Sequence, residues 1–486
     1  MIQTLATDRT FEELRIPTSV KRQLCADLEL GASPLRIVIR GRVGSGRHTL
    51  LAVIAAVARR RLGAIDATAI VRDPRLRISE LAVALDRAHL AGLLPCVDGL
   101  ELIASHDVVT RDSVRDVLRR HAGPLAIRLP PEVQAPLDPG SVLVDLPALT
   151  LTDRLTCWER TLADHGLRVA ELGELGDRYA VGPGVIERVA SEVARRGDRE
   201  RDAGPRLEAG IRQHLESRLG ASATRVARLA SWEQVILPAD IQDSLTELIA
   251  RIKHRRIVFD TWGFDRVMST SRGVTALFQG GPGTGKTLVA SAIANELGMD
   301  LYRVDLSRVM SKWIGETEQN LAKLFDAAED GNTIILFDEA DSLFAKRTEV
   351  RTSVDRYANL EVNYLLQRLD SFEGIAILTT NFGTAIDTAF RRRLSFRLTF
   401  PFPDDEGREL LWKAHLPDGV PRAGEFDFAD LARRFRMSGG YIRNAALRAA
   451  FLAAEEGSPL TQEHIERAIR MEFREIGKLA ETGTLE

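Results

Sequence analysis

The residues with the clearest chemical potential form the segment 280–287, Gly-Gly-Pro-Gly-Thr-Gly-Lys-Thr, which fits the pattern GxxxxGK[ST]. The apolar run 274–278 precedes it, and residues 288–297 follow with the apolar spacing of a helix. Backbone N–H groups in such a loop converge on a phosphate, and the start of the following helix adds a positive dipole end. The strand, loop and helix together predict a phosphate site.

The loop also supplies a cation and a metal ligand. Lys286 is suited to reach the β- and γ-phosphates of a nucleotide, and the Thr287 hydroxyl is suited to ligate Mg²⁺. The chain contains 58 arginines and only 8 lysines, so a lysine at this position favours a specific role, since the arginine fork is bulkier than a point charge. The residues predicted to contact the nucleotide here are Gly281, Pro282, Gly283, Thr284, Gly285, Lys286, Thr287 and Leu288.

Two carboxylates follow another apolar run, 334–337. At the carboxyl end of a parallel strand, Asp338 and Glu339 would face the same crevice as the phosphate loop. Asp338 is predicted to complete the Mg²⁺ site with Thr287. Glu339 is predicted to orient and deprotonate the attacking water.

An amide and a group of arginines lie further along the chain, and each has two interpretations. Asn381 follows a strand-like run and could hold the water and the γ-phosphate in line, or it could form a turn before Gly383. One of Arg391, Arg392 and Arg393 could stabilise the charge of phosphoryl transfer, often in a neighbouring subunit. The three could also form a solvated surface.

Strand-like runs alternate with helix-length segments in both halves of the chain, which predicts an α/β fold. The predicted strands are 35–39, 64–70, 93–97, 125–129 and 142–146 in the first half, and 274–278, 301–306, 333–337, 375–378 and 396–400 in the second. A proline, an arginine and a tryptophan recur after each set with spacings of 7 and 4, as Pro147, Arg154 and Trp158 and as Pro401, Arg408 and Trp412. We therefore predict two tandem P-loop modules, each with a parallel five-stranded sheet, flanking helices and a small helical lid.

The domain boundaries follow from these repeats and from a charged, Gly- and Pro-containing stretch between them. The predicted domains are 1–150 (α/β), 151–220 (lid and linker), 221–404 (nucleotide-hydrolysing α/β) and 405–486 (second lid).

Composition excludes several classes of partner. The net charge is −3, from 66 basic and 69 acidic residues, so no bulk field attracts nucleic acid or an anionic membrane. Cys25, Cys96 and Cys157 form no CxxC motif, which argues against a disulfide framework and predicts a cytoplasmic protein. The charge balance predicts that there is no nucleic-acid partner. We also expect no membrane association, because the apolar runs are far shorter than a membrane helix and no secretory pattern is present.

Residues from about 230 to 476 closely resemble the AAA+ ATPases. The matching motifs are the phosphate loop, 334–341 (Ile-Ile-Leu-Phe-Asp-Glu-Ala-Asp), Thr379-Thr380-Asn381, the arginine cluster and 438–443 (Ser-Gly-Gly-Tyr-Ile-Arg). The resemblance implies ATP and Mg²⁺ as cofactors and a hexameric ring with ATP bound between subunits. It places Asn381 at sensor 1, Arg392 at the arginine finger and Arg443 at sensor 2.

The finger region departs from the family at one position. Ser395 stands where many relatives carry a second finger arginine. Either Arg391 or Arg393 compensates, or the site uses a single finger.

Two segments, 311–318 and 346–359, look like a bacterial branch of the family found beside contractile injection systems. Within the first, Lys312, Trp313 and Ile314 fall where relatives place an aromatic loop in the central pore. An aromatic side chain grips an extended chain through apolar contact and so tolerates many sequences. The alternative is that Trp313 is a core residue.

By the same alignment, the first module is a degenerate copy. Arg47 and His48 replace the lysine and the metal-binding hydroxyl, and Asp98 is followed by Gly99 instead of glutamate. Pro130 and Glu187 take the sensor positions. We expect no hydrolysis there and a structural role, the alternative being a static ATP site held by Arg47.

The function predicted from these observations is an ATP-driven remodeller of a protein substrate, such as a contractile-injection assembly, working as a homo-oligomer. A nucleotide-gated scaffold with slow turnover is the alternative, and Glu339 argues against it. Nucleic-acid loading or helicase action is disfavoured, since no basic patch with interleaved aromatics is present.

Overall fold

The computed structural model describes residues 2–29, 35–67, 74–100, 108–131, 133–134, 141–197, 202–267, 272–309, 316–341, 364–381 and 392–475. The chain groups into two compact units. The first comprises Met1–Gly220 and Met310–Asn332, and the second comprises Ala221–Val309 and Thr333–Glu486.

The first unit is built on a six-stranded sheet. Its strands are β1 (Ile2–Leu5), β2 (Arg36–Gly41), β3 (Arg61–Asp66), β4 (Leu93–Asp98), β5 (Leu125–Leu129) and β6 (Val142–Leu146). They lie in the order β1-β3-β4-β5-β2-β6, with β1 antiparallel to β3 and the other neighbours parallel. The non-consecutive order means that helices cross over between the parallel strands.

The second unit repeats this arrangement. Its strands are β7 (Ala223–Arg225), β8 (Val274–Gly280), β9 (Leu301–Val304), β10 (Ile334–Phe337), β11 (Ile375–Thr380) and β12 (Phe396–Phe400). They lie in the order β12-β8-β11-β10-β9-β7, and only β7 is antiparallel to its neighbour. Each sheet therefore has the same strand order.

Two details of the strand prediction are wrong. Each sheet has six strands and is mixed, because a short edge strand, β1 or β7, pairs antiparallel with the second strand of the parallel set. The predicted strand 64–70 is β3, which begins at Arg61, since Leu62 and Gly63 pair with Leu5 and Thr4 of β1. Residues 68–70 lie outside the described residues.

Helices flank both sheets and form the regions that follow them. In the first unit they are α1 (Thr18–Glu29), α2 (Arg47–Val57), α3 (Pro74–Leu90), α4 (Val108–Arg120), α5 (Leu151–His165), α6 (Leu172–Arg178), α7 (Pro183–Arg195) and α8 (Gly204–Leu219). Next along the chain come α9 (Ala239–Arg256), α10 (Lys286–Glu296), α11 (Leu306–Val309) and α12 (Glu316–Gly331). The helices after the second sheet are α13 (Asp405–His415), α14 (Phe428–Arg434), α15 (Gly439–Glu455) and α16 (Gln462–Glu475).

The central strands carry the core. All four residues of β10 are fully buried, and so are all six of β11. A parallel sheet covered by helices on both faces needs such continuous apolar strands, because neither face meets water. The carboxyl ends of these strands are consequently rigid supports for any side chain that follows them.

The repeated arginine and tryptophan have the same structural role in both lids. Arg154 Nε donates to the Gly176 carbonyl at 2.7 Å, and Arg408 Nε donates to the Ala432 carbonyl at 2.9 Å. Each arginine thereby joins the first lid helix to the end of the second, and burial makes such a charge-assisted bond strong. The repeated tryptophans, Trp158 and Trp412, are fully buried in the two lid cores.

One segment groups differently from the predicted domains. Residues 310–332 were assigned to the second α/β domain, but α12 groups with the first unit, where it packs on α8. Arg218 of α8 pairs with the buried Asp330 of α12, and Arg42 pairs with Glu329. Burial raises the pKa of Asp330, and the Arg218 charge opposes that shift.

Within the described ranges, no helix is long and apolar enough to cross a membrane.

Candidate active site

The phosphate loop of the second unit runs from the end of β8 to the start of α10. Gly283 and Gly285 have φ angles of +75° and +95°, a region that favours glycine. A Cβ on Gly283 would lie 2.5 Å from Ser438 Oγ, so glycine is also required sterically. The predicted strand, loop and helix are thus all present around 280–287.

Lys286 lies over the loop, at the first position of α10. Its ammonium donates to the carbonyl oxygens of Gly280 and Gly281, each at 2.8 Å, and to Asn381 Oδ1 at 3.0 Å. Burial lowers the pKa of Lys286, while the nearby carboxylates, with Asp338 foremost, oppose the shift. The cation is therefore held between the loop and the end of β11, where a phosphate group would lie.

The two predicted metal ligands are adjacent. Thr287 Oγ1 donates to Asp338 Oδ1 at 3.0 Å, which places a hydroxyl and a carboxylate oxygen side by side. These are the hard oxygen donors that Mg²⁺ takes together with water and phosphate oxygens. Thr287 and Asp338 therefore fit a magnesium ion bound between the loop and β10.

Glu339 is exposed just beyond β10 and has a backbone φ of +53°. A non-glycine residue in this region is strained and persists only where its surroundings fix it. Its N–H donates to Thr379 Oγ1 at 3.0 Å, and the same hydroxyl donates to Asp338 Oδ1 at 2.7 Å. The Thr379 hydroxyl therefore holds the backbone of Glu339 and the side chain of Asp338 together at the end of β10.

Asn381 lies at the end of β11, where its amide joins two polar groups. Asp341 Oδ1 accepts from the Asn381 N–H at 2.9 Å and from Thr380 Oγ1 at 2.5 Å. Asn381 Nδ2 lies 3.4 Å from Asp341 Oδ2, and its Oδ1 faces Lys286. Asp341 thus fixes the orientation of the amide.

The roles of Thr379 and Asp341 were missed from the sequence. Both occur within the motifs that carry the family resemblance, yet neither was assigned a function. Their position was the available signal. Thr379 lies inside β11 and Asp341 follows β10, and these two strands are neighbours at the centre of the sheet.

The second lid reaches the phosphate loop through its glycines. The Gly440 N–H, at the start of α15, donates to the Gly283 carbonyl at 3.0 Å. Arg443 follows three residues later and is exposed. It lies close enough to His415 that its charge, added to burial, lowers the pKa of that imidazole.

The arginine cluster is only partly described. Arg393 Nε pairs with Asp370 Oδ2 at 2.9 Å, whereas Arg392 is exposed and Arg391 lies outside the described residues. Ser395 lies directly before β12, and its N–H donates to the Thr275 carbonyl of β8 at 2.8 Å. Of the two described arginines, the pairing of Arg393 leaves Arg392 the better candidate for an arginine finger.

The predicted pore residues Lys312, Trp313 and Ile314 also lie outside the described residues.

The corresponding loop of the first unit has the same backbone and different chemistry. Gly44 and Gly46 have φ angles of +86° and +88°, close to those of the second loop. Arg47, however, is buried and donates to the Leu129 carbonyl at 2.6 Å. Its guanidinium is directed to the end of β5.

The first unit's metal-site positions are also committed elsewhere. His48 Nε2 lies 2.8 Å from Asp98 Oδ2, and Arg128 Nε donates to Asp98 Oδ1 at 2.6 Å. Burial alone would raise the pKa of Asp98, but these two bonds outweigh burial and lower it. Both Asp98 oxygens therefore bond basic side chains, whereas the Asp338 oxygen beside Thr287 bonds only hydroxyl groups among the described residues.

Comparison with known proteins identifies the class to which the second site belongs. Residues 276–402 match the ATPase family associated with various cellular activities (AAA). The 26S proteasome subunit RPT4 of Saccharomyces cerevisiae is 31% identical over 273 residues, which is 54% of this chain and 61% of that protein.

Two further relatives cover shorter stretches. The cell division cycle protein 48 homolog of Archaeoglobus fulgidus is 38% identical over 173 residues, 34% of this chain and 23% of that protein. The katanin p60 ATPase-containing subunit A1 of Strongylocentrotus purpuratus is 33% identical over 232 residues, 44% of this chain and 43% of that protein.

The chain therefore contains an AAA ATPase domain, with homologues in the AAA+ family and with ATP and Mg²⁺ as its cofactors. It spans less than two thirds of the length of each of these relatives.

Proposed function

We propose that this protein hydrolyses ATP at the site of the second unit and uses the energy to remodel, unfold or disassemble a protein substrate. The observation that carries the proposal is the exposed Glu339, whose backbone N–H is held by the same Thr379 hydroxyl that donates to Asp338. The proteasome subunit and the cell division cycle protein 48 homolog among the relatives support the choice of a protein substrate.

The chemistry follows from the position of each group. Bound Mg²⁺ and ATP supply the polarised γ-phosphoryl group. The loop N–H groups and the Lys286 ammonium bind phosphate oxygens, and Thr287 and Asp338 hold the metal. Glu339 orients the attacking water and accepts its proton, while Asn381, held by Asp341, keeps that water in line.

The site is proposed to be completed by a neighbouring subunit. Arg392 is exposed, so it is available to reach a phosphate bound on another copy of the chain. This arrangement fits a homo-oligomeric ring, which we propose to be a hexamer with Lys312, Trp313 and Ile314 in its pore. The cysteine usage supports a cytoplasmic location.

Substitution of the proposed base tests the hydrolysis step. Glu339→Gln keeps the shape of the side chain but removes the proton acceptor, so ATP turnover should fall at least about 100-fold while ATP binding persists. Glu455→Gln, which changes an exposed glutamate at the end of α15, is the matched control and should retain full turnover. Unchanged turnover in Glu339→Gln would refute the assignment.

The same variant separates the remodeller from a nucleotide-gated scaffold with slow turnover. A remodeller stops working when hydrolysis stops, whereas a scaffold needs only bound ATP. Substrate disassembly that continues at the wild-type rate in Glu339→Gln would favour the scaffold.

The pore proposal has a separate test. Trp313→Ala should abolish remodelling and spare basal hydrolysis, because the aromatic side chain touches the substrate and not the nucleotide. Trp313→Phe keeps an aromatic ring and should retain most of the remodelling. Normal remodelling by the alanine variant would exclude a gripping role.

The first unit is proposed to be a non-hydrolysing copy with a structural role. Arg47 is bound to the Leu129 carbonyl, and Asp98 is bound to His48 and Arg128. His48 and Gly99 stand where the second unit has the Thr287 hydroxyl and the Glu339 carboxylate, so the first unit lacks a metal-binding hydroxyl and a base. The buried Arg47 guanidinium is directed to the end of β5, which disfavours the static ATP site.

The substrate is proposed to be a contractile-injection assembly, on the resemblance of segments 311–318 and 346–359. Purified contractile-injection assemblies, incubated with the protein and ATP, should lose light scattering, and Glu339→Gln should leave them intact. Assemblies that stay intact with the active protein would exclude this substrate.

A further inference from the structure

Glu187 of the first unit occupies the place that Arg443 has in the second. The Gly184 N–H donates to the Gly44 carbonyl at 2.8 Å, as the Gly440 N–H donates to the Gly283 carbonyl at 3.0 Å. Glu187 and Arg443 each follow their glycine by three residues. The same contact of lid and loop is therefore made twice, with an anion on one lid and a cation on the other.

Three basic side chains surround Glu187. Arg9 Nη2 lies 2.9 Å from Glu187 Oε2, and Arg15 Nη1 lies 3.4 Å from the same oxygen. His165 Nε2 lies 2.9 Å from Glu187 Oε1. Burial would raise the pKa of Glu187, but the bonds from His165 and Arg9 lower it instead. The carboxylate therefore carries its charge among these groups.

Arg15 connects the segment before α1 to two lid helices. Besides Glu187 on α7, its guanidinium contacts Asp164 and Thr161 on α5. The Arg15 side chain is 9% exposed and that of Glu187 30%, so this pair is partly shielded from water, whereas Asp164 is 61% exposed. The lid is thus held to the α/β domain by side chains of the chain itself.

The network borders a cavity beside the phosphate loop. The cavity measures about 340 Å³, and Arg9, Arg15 and Glu187 line it together with Gly46 and His48 at the end of the loop. In the second unit, the cationic lid residue Arg443 is suited to an anionic phosphate. In the first, the cavity arginines Arg9 and Arg15 already pair with Glu187, so a polyphosphate would have to compete with that carboxylate for them.

We propose that the lid of the first unit is latched closed by the Arg9, Arg15 and Glu187 ion pairs, in place of a bound nucleotide, so that it does not respond to ATP. The latch goes beyond the hydrolysis proposed for the second unit and does not depend on it. Its consequence is that only the second lid moves through the nucleotide cycle.

Amide hydrogen exchange on the full chain reports on both lids at once. Peptides that contain Gly184 and Gly440 report the two equivalent bonds between lid and loop. In the Glu339→Gln background, saturating ATP should leave exchange at Gly184 unchanged within about twofold, whereas added phosphate contacts to Arg443 should slow exchange at Gly440. Slower exchange at Gly184 on addition of ATP would overturn the proposal.

Charge substitutions test whether these ion pairs hold the lid. Glu187→Arg places a cation among Arg9, Arg15 and His165, so exchange at Gly184 should rise at least about tenfold, as expected for loss of charged hydrogen bonds. Glu192→Ala is the matched control, because Glu192 lies on the same helix but pairs with the exposed Arg196. It should leave exchange unchanged.

A double charge swap keeps the test decisive if the single variant folds poorly. Arg15→Glu combined with Glu187→Arg restores the opposite-charge pair and should return exchange at Gly184 most of the way to the wild-type value. Exchange unchanged in Glu187→Arg, or equally fast in the single and double variants, would refute the latch. If the wild-type protein showed no ATP turnover, that result would count against the function proposed for the second site and would leave the latch proposal unaffected.

Discussion

Replacing Thr379 by valine removes one hydroxyl that positions two carboxylate residues at the end of the second sheet. The hydroxyl donates to Asp338 Oδ1 at 2.7 Å and accepts from the Glu339 N–H at 3.0 Å. Thr379 is 1% exposed, and valine keeps the β-branched shape, so the change removes the two bonds with little loss of packing.

The magnitude follows from the two bonds. A hydrogen bond to a carboxylate contributes about 1.5–3 kcal/mol. The left-handed backbone of Glu339 costs about 1–3 kcal/mol and depends on the second bond to persist. If the transition state loses about 1.4–2.8 kcal/mol of the stabilisation from these two bonds, kcat falls about 10- to 100-fold. In the described part of the chain the Thr379 hydroxyl bonds Asp338 and the Glu339 N–H, outside the phosphate loop, so ATP affinity should change little.

The assay is steady-state ATP turnover together with ATP binding, on protein whose folding is checked by thermal unfolding. Thr399→Val is the control, because Thr399 lies on the same sheet but is exposed, and its hydroxyl accepts from Gln279. A folded Thr379→Val protein with kcat within twofold of wild type would refute the positioning role. A fall in ATP affinity with kcat unchanged would also contradict it.

Three other predictions follow from the site and its counterpart. Asp341→Ala should lower kcat about tenfold, because the Asn381 amide at the end of β11 loses its orientation. Steady-state ATP turnover measures the effect, with Asp341→Asn as the comparison variant. Arg392→Ala should abolish turnover, and mixing it with Lys286→Met chains should restore part of it, since each variant supplies what the other lacks across the subunit interface; no recovery on mixing would exclude a finger acting in trans. Hydrogen bonds to His48 and Arg128 lower the pKa of Asp98, so the stabilisation from these bonds is present above its ordinary pKa of about 4 and is lost as pH falls through the lower folded value. Unfolding measured at several pH values should show that the loss of unfolding free energy caused by Asp98→Asn becomes smaller as the pH falls. A loss that stays constant with pH would contradict the assignment.

The local chemistry of the second site was predictable because it lies in short contiguous motifs. The glycine loop needs particular backbone angles, and Asp338 and Glu339 follow an apolar strand, so sequence order alone brings these groups to one edge of a parallel sheet. The repeated spacing of arginine and tryptophan also had a direct structural meaning, because each arginine joins the first lid helix to the second.

Other features depend on contacts that no local pattern encodes. The edge strands β1 and β7 have only four and three residues, too few for an alternating pattern to be recognised. The bond of Thr379 to Asp338 and the pairing of Arg15 with Glu187 join residues far apart in the chain. A one-residue motif change, such as Glu187 at a sensor position, indicates that a function is lost but not what replaces it.

A matched pair of variants distinguishes ATP hydrolysis at the second site from hydrolysis at the first. Lys286→Met and Arg47→Met each remove the cation from one phosphate loop while keeping an unbranched apolar side chain. Turnover per folded chain should fall at least about 100-fold in Lys286→Met, because phosphoryl transfer depends on that cation. It should stay within about twofold of wild type in Arg47→Met. Turnover that survives in Lys286→Met, or disappears in a folded Arg47→Met protein, would contradict the account.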